Sequence, residues 1–284
     1  MNGKTPTYSI VTTCKGRLDD LKQSLPRFVA QDDCEVIVVD YDCPQQTGDF
    51  VERHFPDVKL VRVADRPKFN LPEARNLGVE QASGKVLVFL DADVIVAEDF
   101  LPRIAFPHDQ FVYGSFRGET NNSLRGSCMI RREDFDRIGG YDELLSGYEG
   151  EDLDIYMRLR VLGAERVYLD EAAVEQVIDQ TDEERLQYRP RNLRMQFLRG
   201  QLYQLSKELL LRSQDMLVVD LDTRRKIMAQ VNRQIGPLMK GERDFKLTLN
   251  FPDRYKRGLL GDFEFTTAVS VMAKRKPRKQ QGKN

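Results

Sequence analysis

Two aspartates one residue apart, in Asp91-Ala92-Asp93, directly follow the apolar run at residues 86–90. If that run is a buried strand, it fixes two carboxylates at a rigid edge. Carboxylate, phosphate and water oxygens are the ligands that Mg²⁺ and Mn²⁺ prefer, and a cation held there would neutralise a departing diphosphate. The alternative is a turn whose aspartates cap the next helix, and an isolated Asp-x-Asp tripeptide leaves both open. Its position after an apolar strand favours the metal site.

A second acidic segment, Gly147-Tyr148-Glu149-Gly150-Glu151-Asp152-Leu153-Asp154, lies farther along the chain. Neighbouring carboxylates raise one another's pKa values, which suits a general base. The alternative is the acidic first turn of a helix, where the helix dipole stabilises carboxylates. The glycines favour the first interpretation, since they loosen a helix start and let the backbone approach a ligand closely.

Strand and helix patterns alternate over the first hundred residues and predict how these groups are positioned. One predicted helix is Pro72–Ala82, and the predicted strands are Tyr8–Thr12, Glu35–Asp40, Lys59–Val63 and Lys85–Leu90. This alternation implies an α/β fold with a mostly parallel, doubly wound sheet, whose ligand crevice lies at the carboxyl ends of the strands. Four carboxylates follow predicted strand ends and would repel one another unless a cation is present. They are Asp40, Asp42, Asp91 and Asp93.

Patterns in the second half of the chain predict a strand at Gly126–Arg131 and a short helix at Glu133–Ile138. Two further helices are predicted, one that ends near Arg160 and one that runs from beyond Thr181 to about Arg212. Two late strands are predicted at Phe245–Leu249 and Phe263–Val271. An apolar stripe in the long helix predicts packing in a core or against a partner. Its members are Leu186, Leu193, Phe197, Leu202, Leu205 and Leu209. A sharper hypothesis joins the stripe to a basic face for a membrane or another subunit, made of Arg189, Arg191, Arg194 and Arg199.

Composition limits the cellular setting. The net charge of −1 argues against nucleic acid as the general partner. The four cysteines form no Cys-x-x-Cys pair, and reduced thiols fit a cytoplasmic protein. We see no leader-like segment and no bilayer-length apolar stretch, so contact with a membrane would be peripheral, at the inner face. The basic run at residues 274–279 predicts a disordered, solubilising tail, with anionic lipid or nucleic acid as the alternative.

The motifs in their order resemble family-2 glycosyltransferases of the GT-A fold. The resemblance rests on Ile10-Val11-Thr12-Thr13-Cys14-Lys15-Gly16-Arg17, Val39-Asp40, Ala74-Arg75-Asn76-Leu77-Gly78 and Phe89-Leu90-Asp91-Ala92-Asp93. Residues 125–159 are similar to galactosyl- and N-acetylgalactosaminyltransferases of the chondroitin-polymerase type, with Gly139-Gly140-Tyr141-Asp142-Glu143 ahead of Gly150-Glu151-Asp152-Leu153-Asp154. The resemblance covers about residues 8–185.

This resemblance implies a metal-dependent hexosyltransferase of polysaccharide biosynthesis. It would move a sugar from a UDP-sugar to the hydroxyl of a glycan or lipid-linked acceptor, with inversion and with Mn²⁺ or Mg²⁺ as cofactor. Asp93 would ligate the metal, and Asp91 would contact the ribose or a metal-bound water. Asp152 would be the general base and Glu151 would position the acceptor. The remaining donor contacts implied are Thr12, Thr13 and Arg17 around the nucleoside, Asp40 on the base or ribose, and Arg75 at the diphosphate.

One departure affects the metal site. The family commonly supplies a histidine ligand beyond the acidic motif, whereas residues 173–180 contain none. Gln176, Asp179 or Gln180 could supply an oxygen instead; otherwise the metal is weakly held or activity has been lost. The two histidines of the chain lie elsewhere: His54 is expected on the surface near a helix end, and His108 in a loop.

The predicted organisation is a GT-A domain at residues 1–185, a helical C-terminal extension at 186–273 and a basic tail at 274–284. Two rival functions stay open. The missing histidine allows a non-catalytic sugar-nucleotide-binding or scaffold protein, and the basic tail allows a glycosyltransferase acting on a protein or nucleic acid. A nucleotidyltransferase is disfavoured because no lysine- and glycine-rich phosphate loop follows the first strand.

Overall fold

The computed structural model describes residues 5–104, 108–119, 123–147, 149–181, 183–184, 187–188, 192–252 and 266–274. The chain divides into two compact units, residues 1–191 and 192–284, where the sequence suggested a boundary after residue 185. The predicted tail beyond Lys274 lies outside the described residues.

The first unit alternates strands and helices through its N-terminal half. Its elements are β1 (Tyr8–Cys14), α1 (Leu18–Val29), β2 (Cys34–Tyr41), α2 (Thr47–His54), β3 (Lys59–Val63), α3 (Leu71–Gln81), β4 (Val86–Phe89), β5 (Val94–Val96), α4 (Phe100–Arg103), β6 (Gln110–Tyr113), β7 (Cys128–Arg131), α5 (Arg132–Arg137), α6 (Glu151–Leu162), β8 (Glu165–Tyr168), a 3₁₀ turn (Glu171–Ala173) and β9 (Val174–Val177). The elements predicted within residues 8–162 are present, with ends that shift by a few residues.

Seven strands form one sheet in the order β3-β2-β1-β4-β7-β6-β8. Only β7 runs against its neighbours β4 and β6, and the other pairings are parallel. The predicted α/β architecture with a mostly parallel sheet is therefore confirmed.

Both faces of the central strands are buried, which explains their continuous apolar sequences. Successive side chains of a strand point to opposite faces, so Ile10 and Val88 join one core cluster while Val11 and Leu87 join the other. Helix α1 contributes Leu21, Leu25 and Phe28 to the first cluster, and α6 contributes Ile155 and Leu159 to the second. Both faces of the sheet are thus covered, so side chains that could reach a ligand are expected at its edges.

A separate antiparallel pair, β5 with β9, returns the chain to the end of β4. Val94 pairs with Val177, and the next residue, Ile178, donates its N–H to the carbonyl of Asp93 at 2.8 Å. This pairing brings residues 178–180 beside Asp93, although they are distant in sequence.

The second unit contains two helices and a hairpin. They are α7 (Leu193–Ser213), α8 (Leu221–Lys240), β10 (Phe245–Pro252) and β11 (Thr266–Ala273), with β10 and β11 antiparallel. Both predicted late strands are therefore present.

The predicted apolar stripe of the long helix is only partly a core feature. Leu202 is buried, but the side chains of Leu193, Phe197, Leu205 and Leu209 are 36–47% exposed. The stripe as a whole is therefore not a core face, since α7 buries a different face that includes Tyr203, Leu210 and Leu211, and packing of the stripe against a partner stays a prediction. Three residues of the predicted stripe and basic face, Leu186, Arg189 and Arg191, lie outside the described residues.

Candidate active site

The carboxyl ends of β2 and β4 flank that of β1, because β1 pairs in parallel with both strands. Asp40 is the last residue but one of β2, and Asp91 and Asp93 follow β4. The predicted carboxylates therefore lie along one edge of the sheet, as expected for a crevice at the carboxyl ends of parallel strands.

Asp40 organises the loop that enters α2. Its two carboxylate oxygens accept backbone N–H groups from Cys43 at 2.9 Å and Gly48 at 2.8 Å, and the residue is 7% exposed. A Cβ at Gly48 would lie 2.5 Å from the Arg62 guanidinium and 2.8 Å from an Asp40 oxygen, so a larger residue would displace one of these groups. These contacts show that Asp40 stabilises the loop before α2. Its contact with a base or ribose stays a prediction.

Arg75 makes hydrogen bonds to several parts of the site. It projects from α3, whose start is capped by the Asn70 side chain and carries Pro72 in its first turn. The residue is 1% exposed. One terminal nitrogen donates to Tyr141 Oη at 2.9 Å and Asp152 Oδ1 at 3.1 Å; the other donates to Asp91 Oδ1 at 2.8 Å and the Gly126 carbonyl at 2.8 Å.

These bonds connect the two acidic motifs that the sequence singled out. The guanidinium of Arg75 also lies over the rings of Phe89 and Tyr141, at 5.5 Å and 5.2 Å from their centroids. Burial raises the pKa of Tyr141 well above its usual value, so its phenol stays neutral. The predicted contact of Arg75 with a diphosphate stays a prediction, because its terminal nitrogens are held by protein oxygens.

Gly126 lets these groups approach one another. A Cβ there would lie 2.2 Å from Asp91 Oδ2 and 3.0 Å from a terminal nitrogen of Arg75. Any larger residue would have to displace the ion pair.

Asn76 anchors the loop that carries Tyr141. Its side-chain amide donates to the Tyr141 carbonyl at 3.0 Å and to Glu143 Oε1 at 2.8 Å, and its oxygen accepts the Tyr141 N–H at 2.9 Å. Sequence reasoning missed this role, although Asn76 directly follows Arg75 in the motif that carries the resemblance.

A buried ion pair fixes the helix that follows Asp152. Arg158 Nε donates to Asp154 Oδ2 at 2.8 Å, and a terminal nitrogen of Arg158 donates to the carbonyls of Ile138 and Gly140 at 2.7 Å and 2.6 Å. The helix begins after Gly150, whose φ of 79° is readily adopted only by glycine. The four-residue spacing of Asp154 and Arg158 was the available signal for this pair.

Glu151 and Asp152 open α6 with different surroundings. Glu151 is 7% exposed, whereas the Asp152 side chain is 17% exposed and reaches Arg75. Asp152 therefore retains the access that a base needs. On the nucleoside side, Thr12 and Thr13 are buried and Arg17 immediately precedes α1. The hydroxyl of Thr12 has no hydrogen-bond partner within the described part of the chain.

The pKa of Asp93 responds to its burial and to the negative charges around it. Burial and then the charge of Asp91 raise the pKa of Asp93 to about 7, while Arg17 opposes the shift. Asp20 of α1 adds to it. Asp20 accepts from the Gln180 amide at 2.8 Å, lies 3.6 Å from Arg17, and has a pKa raised by its own burial. Asp20 was not predicted; its position three residues after Arg17, in the first turn of α1, was the signal.

The Asp91–Asp93 pair fits part of a divalent cation site. Asp91 raises the pKa of Asp93, and a cation between the two would stabilise both in their ionised form. Phosphate and water would supply further oxygen ligands. Among the described residues, no three His, Cys, Asp or Glu side chains converge into a complete ligand set. Of the candidate replacements for the histidine, Gln180 faces Asp20, while Gln176 and Asp179 are exposed.

The histidines lie where the sequence placed them. His54 ends α2 and is exposed, and His108 is exposed with its ring 3.5 Å from Glu133.

Family models match most of this unit. Residues 9–139 match the model described as glycosyl transferase family 2, and residues 112–179 match the N-terminal domain of galactosyltransferase. An O-antigen biosynthesis protein, RfbC of Myxococcus xanthus, is 26% identical over 56% of this chain. The chain covers 16% of the length of that curated relative.

Solved structures share the fold. A mannosyltransferase from Pyrobaculum calidifontis, in complex with GDP-Man and Mn²⁺, has a TM-score of 0.54 at 17% identity, covering 82% of this chain and 70% of its own. The S. aureus protein TarS in complex with UDP-GlcNAc has a TM-score of 0.59 at 16% identity, covering 81% and 73%. The matched family model and the shared architecture agree with the motifs at the sheet edge. Residues 9–139 therefore match glycosyltransferase family 2, and the chain has the GT-A fold that these solved structures share.

Proposed function

We propose that the chain is an inverting hexosyltransferase that moves a sugar from a UDP-sugar to an acceptor hydroxyl with the help of Mn²⁺ or Mg²⁺. The observation that carries the proposal is the shared guanidinium of Arg75. It fixes Asp152, the candidate base, relative to Asp91, the candidate donor-side carboxylate, at 3.1 Å and 2.8 Å. A transferase needs both groups held on opposite sides of one reacting carbon.

The donor would lie along the carboxyl edge of β1, β2 and β4. Thr12, Thr13, Arg17 and Asp40 would surround the nucleoside, and Asp93 with Asp91 would hold the cation. The cation would supply charge neutralisation for the diphosphate when bound. The raised pKa of Asp93 supports this assignment, because a bound cation would stabilise the ionised carboxylate against both burial and the charge of Asp91.

Asp152 would accept the proton of the acceptor hydroxyl. Its carboxylate lies 3.1 Å from a terminal nitrogen of buried Arg75, and the neutral Tyr141 phenol adds no competing negative charge. A base that removes the proton from the face opposite the diphosphate gives a single displacement, and hence inversion. Glu151 would help to position the acceptor from the same helix start.

The donor sugar is proposed as galactose or N-acetylgalactosamine. The match of residues 112–179 to a galactosyltransferase model supports these two among UDP-sugars. A glycan or lipid-linked acceptor is supported by the relative whose name refers to O-antigen biosynthesis.

The two units differ strongly in net charge. This difference supports contact between the second unit and an anionic membrane surface. Residues 1–191 contain 24 Lys and Arg against 36 Asp and Glu, whereas residues 192–284 contain 20 against 9. The exposed apolar row of α7, Leu193, Phe197, Leu205 and Leu209, lies in the basic unit. Basic charge with exposed apolar side chains is the combination that binds anionic bilayers peripherally. No helix within the described ranges is long and apolar enough to cross a bilayer.

Calorimetry against a panel of nucleotide sugars with Mn²⁺ tests the donor assignment directly. We expect binding of a UDP-sugar that depends on the metal, metal-dependent release of UDP, and loss of that release in Asp93→Ala. Metal-dependent UDP binding without turnover across a broad set of donors and acceptors would instead favour the scaffold function.

Flotation with vesicles tests the membrane contact. We expect binding to vesicles that contain phosphatidylglycerol, no binding to phosphatidylcholine alone, and weakening by high salt. Phe197→Ser with Leu205→Ser should reduce it, whereas Val29→Ser, at an apolar residue of the first unit that is 39% exposed, should not. Equal binding by both variants would remove α7 from the proposal.

A further inference from the structure

Two cysteines meet at the carboxyl edge of β1 and β2. Cys14 is the last residue of β1, Cys43 lies two residues beyond β2, and Cys14 pairs in register with Asp40. Cys14 is 0% exposed and Cys43 is 9% exposed. They come together because the two strands are adjacent and parallel, which their spacing in sequence does not reveal.

The two side chains interact at this edge, and each shifts the pKa of the other, raising that of Cys14 and lowering that of Cys43. Cys43 Sγ also accepts the N–H of Gly16 at 3.1 Å, and Cys14 Sγ accepts the Thr47 hydroxyl at 3.1 Å. The pair therefore ties the turn before α1 to the first residue of α2.

This surrounding favours one thiolate. The interaction with Cys14, followed by the backbone N–H groups of Gly16 and Gln45, lowers the pKa of Cys43 to about 5, while the pKa of Cys14 is raised. One deprotonated and one protonated sulfur in contact is the arrangement from which a disulfide forms. The other two cysteines differ, since burial raises the pKa of both Cys34 and Cys128 to about 11.

We propose that Cys14 and Cys43 are a redox-active pair, which a peroxide-class oxidant converts reversibly into a disulfide at the edge of the donor site. The Cys43 thiolate attacks one peroxide oxygen, the O–O bond breaks, and hydroxide leaves to become water. Cys43 is then a sulfenic acid. Cys14 sulfur attacks Cys43 sulfur, the S–O bond breaks, and the hydroxyl leaves with the Cys14 proton as water. Two thiols and one peroxide thus give one disulfide and two waters, with two electrons passed to the peroxide.

The disulfide would disturb the turn at Gly16 and Arg17. Reduced Cys43 holds the Gly16 N–H, and Arg17 is the residue whose charge acts on Asp20 and Asp93. A sulfur committed to a disulfide is a poorer acceptor than a thiolate. Oxidation should therefore weaken binding of the nucleotide sugar and metal, a consequence that rests on the proposed function.

Mass spectrometry of the full chain tests the pair without reference to activity. Trypsin leaves Cys34 and Cys43 in one peptide, Phe28–Arg53, so Cys34→Ser serves as the background with one thiol there. After treatment with hydrogen peroxide we expect peptide Thr5–Lys15 linked to Phe28–Arg53, release of the link by dithiothreitol, and Cys128 still open to alkylation after denaturation. Oxidation of Cys43 to sulfinic acid with no linked peptide, or preferential oxidation of Cys128, would overturn the proposal.

Calorimetry with UDP and Mn²⁺ tests the consequence. Oxidised Cys34→Ser protein should bind UDP about tenfold more weakly than the reduced protein, a change of about 1.4 kcal/mol. Dithiothreitol should restore binding, and Cys43→Ser in the same background, which lacks the attacking thiolate, should bind UDP equally well before and after peroxide. If the linked peptide forms while the affinity for UDP stays unchanged, the redox-active pair is confirmed and the proposed effect of oxidation on UDP binding is wrong. If reduced protein binds no nucleotide, the donor assignment fails while the mass spectrometry still decides the pair.

Discussion

Asp91 and Asp152 are bound to the same buried guanidinium, that of Arg75, at 2.8 Å and 3.1 Å. One carboxylate follows a central strand of the sheet and the other opens a helix far along the chain. Arg75 thus fixes a distance between two motifs that no local interaction could fix.

Replacement of Arg75 should reduce turnover more than nucleotide binding. Lysine has no planar fork and cannot serve the two carboxylates together. We expect Arg75→Lys to lower kcat by roughly 100-fold, the effect of misplacing catalytic groups by about 1 Å. Steady-state kinetics measure this, and Arg62→Lys, at an exposed arginine paired with Asp49 and Glu52, is the matched control. Equal kcat in both variants would mean that Arg75 is not a positioning residue.

Arg75→Ala should also destabilise the fold. It leaves two carboxylates without their buried partner, and breaking a buried ion pair costs about 3–5 kcal/mol. Chemical denaturation measures the loss; a change within about 0.5 kcal/mol of wild type, the range of ordinary surface substitutions, would contradict the burial argument.

A methyl group at Gly126 should disturb the same ion pair. Its Cβ would lie 2.2 Å from Asp91 Oδ2, so Gly126→Ala must move Asp91 or the loop that carries residue 126. We expect loss of transfer activity together with lower stability. Gly236→Ala is the control, because a Cβ at that position of α8 meets no atom within 4 Å. It should be neutral or stabilising by up to about 1 kcal/mol.

The pH dependence of metal binding should follow Asp93. Because its pKa is about 7, Mn²⁺ affinity should fall as the pH drops below that value, and binding near pH 6, about one unit below it, should release a proton. Calorimetry in buffers of different ionisation enthalpy measures the proton, and Asp93→Asn should abolish both effects. Asp99→Asn, at an exposed aspartate of the same unit, should change neither. Binding that does not vary with pH would exclude Asp93 as the titrating ligand.

Stability of the metal-free chain has the opposite dependence. Asp93 has a pKa raised from 3.8 to about 7 in the folded state, so folding favours its protonated form. The contribution of this group to the free energy of unfolding is present below its unfolded pKa and is lost as the pH rises through about 7. Mn²⁺ should reverse the trend, and a series of melting temperatures with and without the metal tests this.

Asn76 should affect the acceptor side. Asn76→Ala removes three hydrogen bonds that hold Tyr141 and Glu143, and leaves buried backbone groups unpaired at a cost of about 1–3 kcal/mol. We expect a higher KM for the acceptor with little change in affinity for UDP. A variant that loses UDP binding instead would place the Tyr141 loop on the donor side.

Local patterns predicted the parts of the fold that local physics decides. The run at residues 86–90 had to be a buried strand, and Asp91 and Asp93 therefore had to emerge at an edge. Pro72 and the stop at residues 83–84 predicted α3 to within a residue.

Contacts between distant elements were beyond the same reasoning. The partners of Arg75 depend on the order of strands, including the reversed β7, and Asp20 reaches Asp93 only through the fold. The row Leu193, Phe197, Leu205 and Leu209 has helical spacing, and spacing alone does not show whether a face is buried or exposed. The Cys14–Cys43 pair escaped notice because reduced thiols carry no signal without their neighbours.

The role of Asp152 as the general base is decided by comparing Asp152→Asn with wild type in both UDP binding and sugar transfer. We expect the variant to bind UDP and Mn²⁺ as wild type does, while transfer falls by about 100-fold or more, the contribution of a general base. Transfer at the wild-type rate would contradict this role, because Asp152 would then not be the base that Arg75 holds in place.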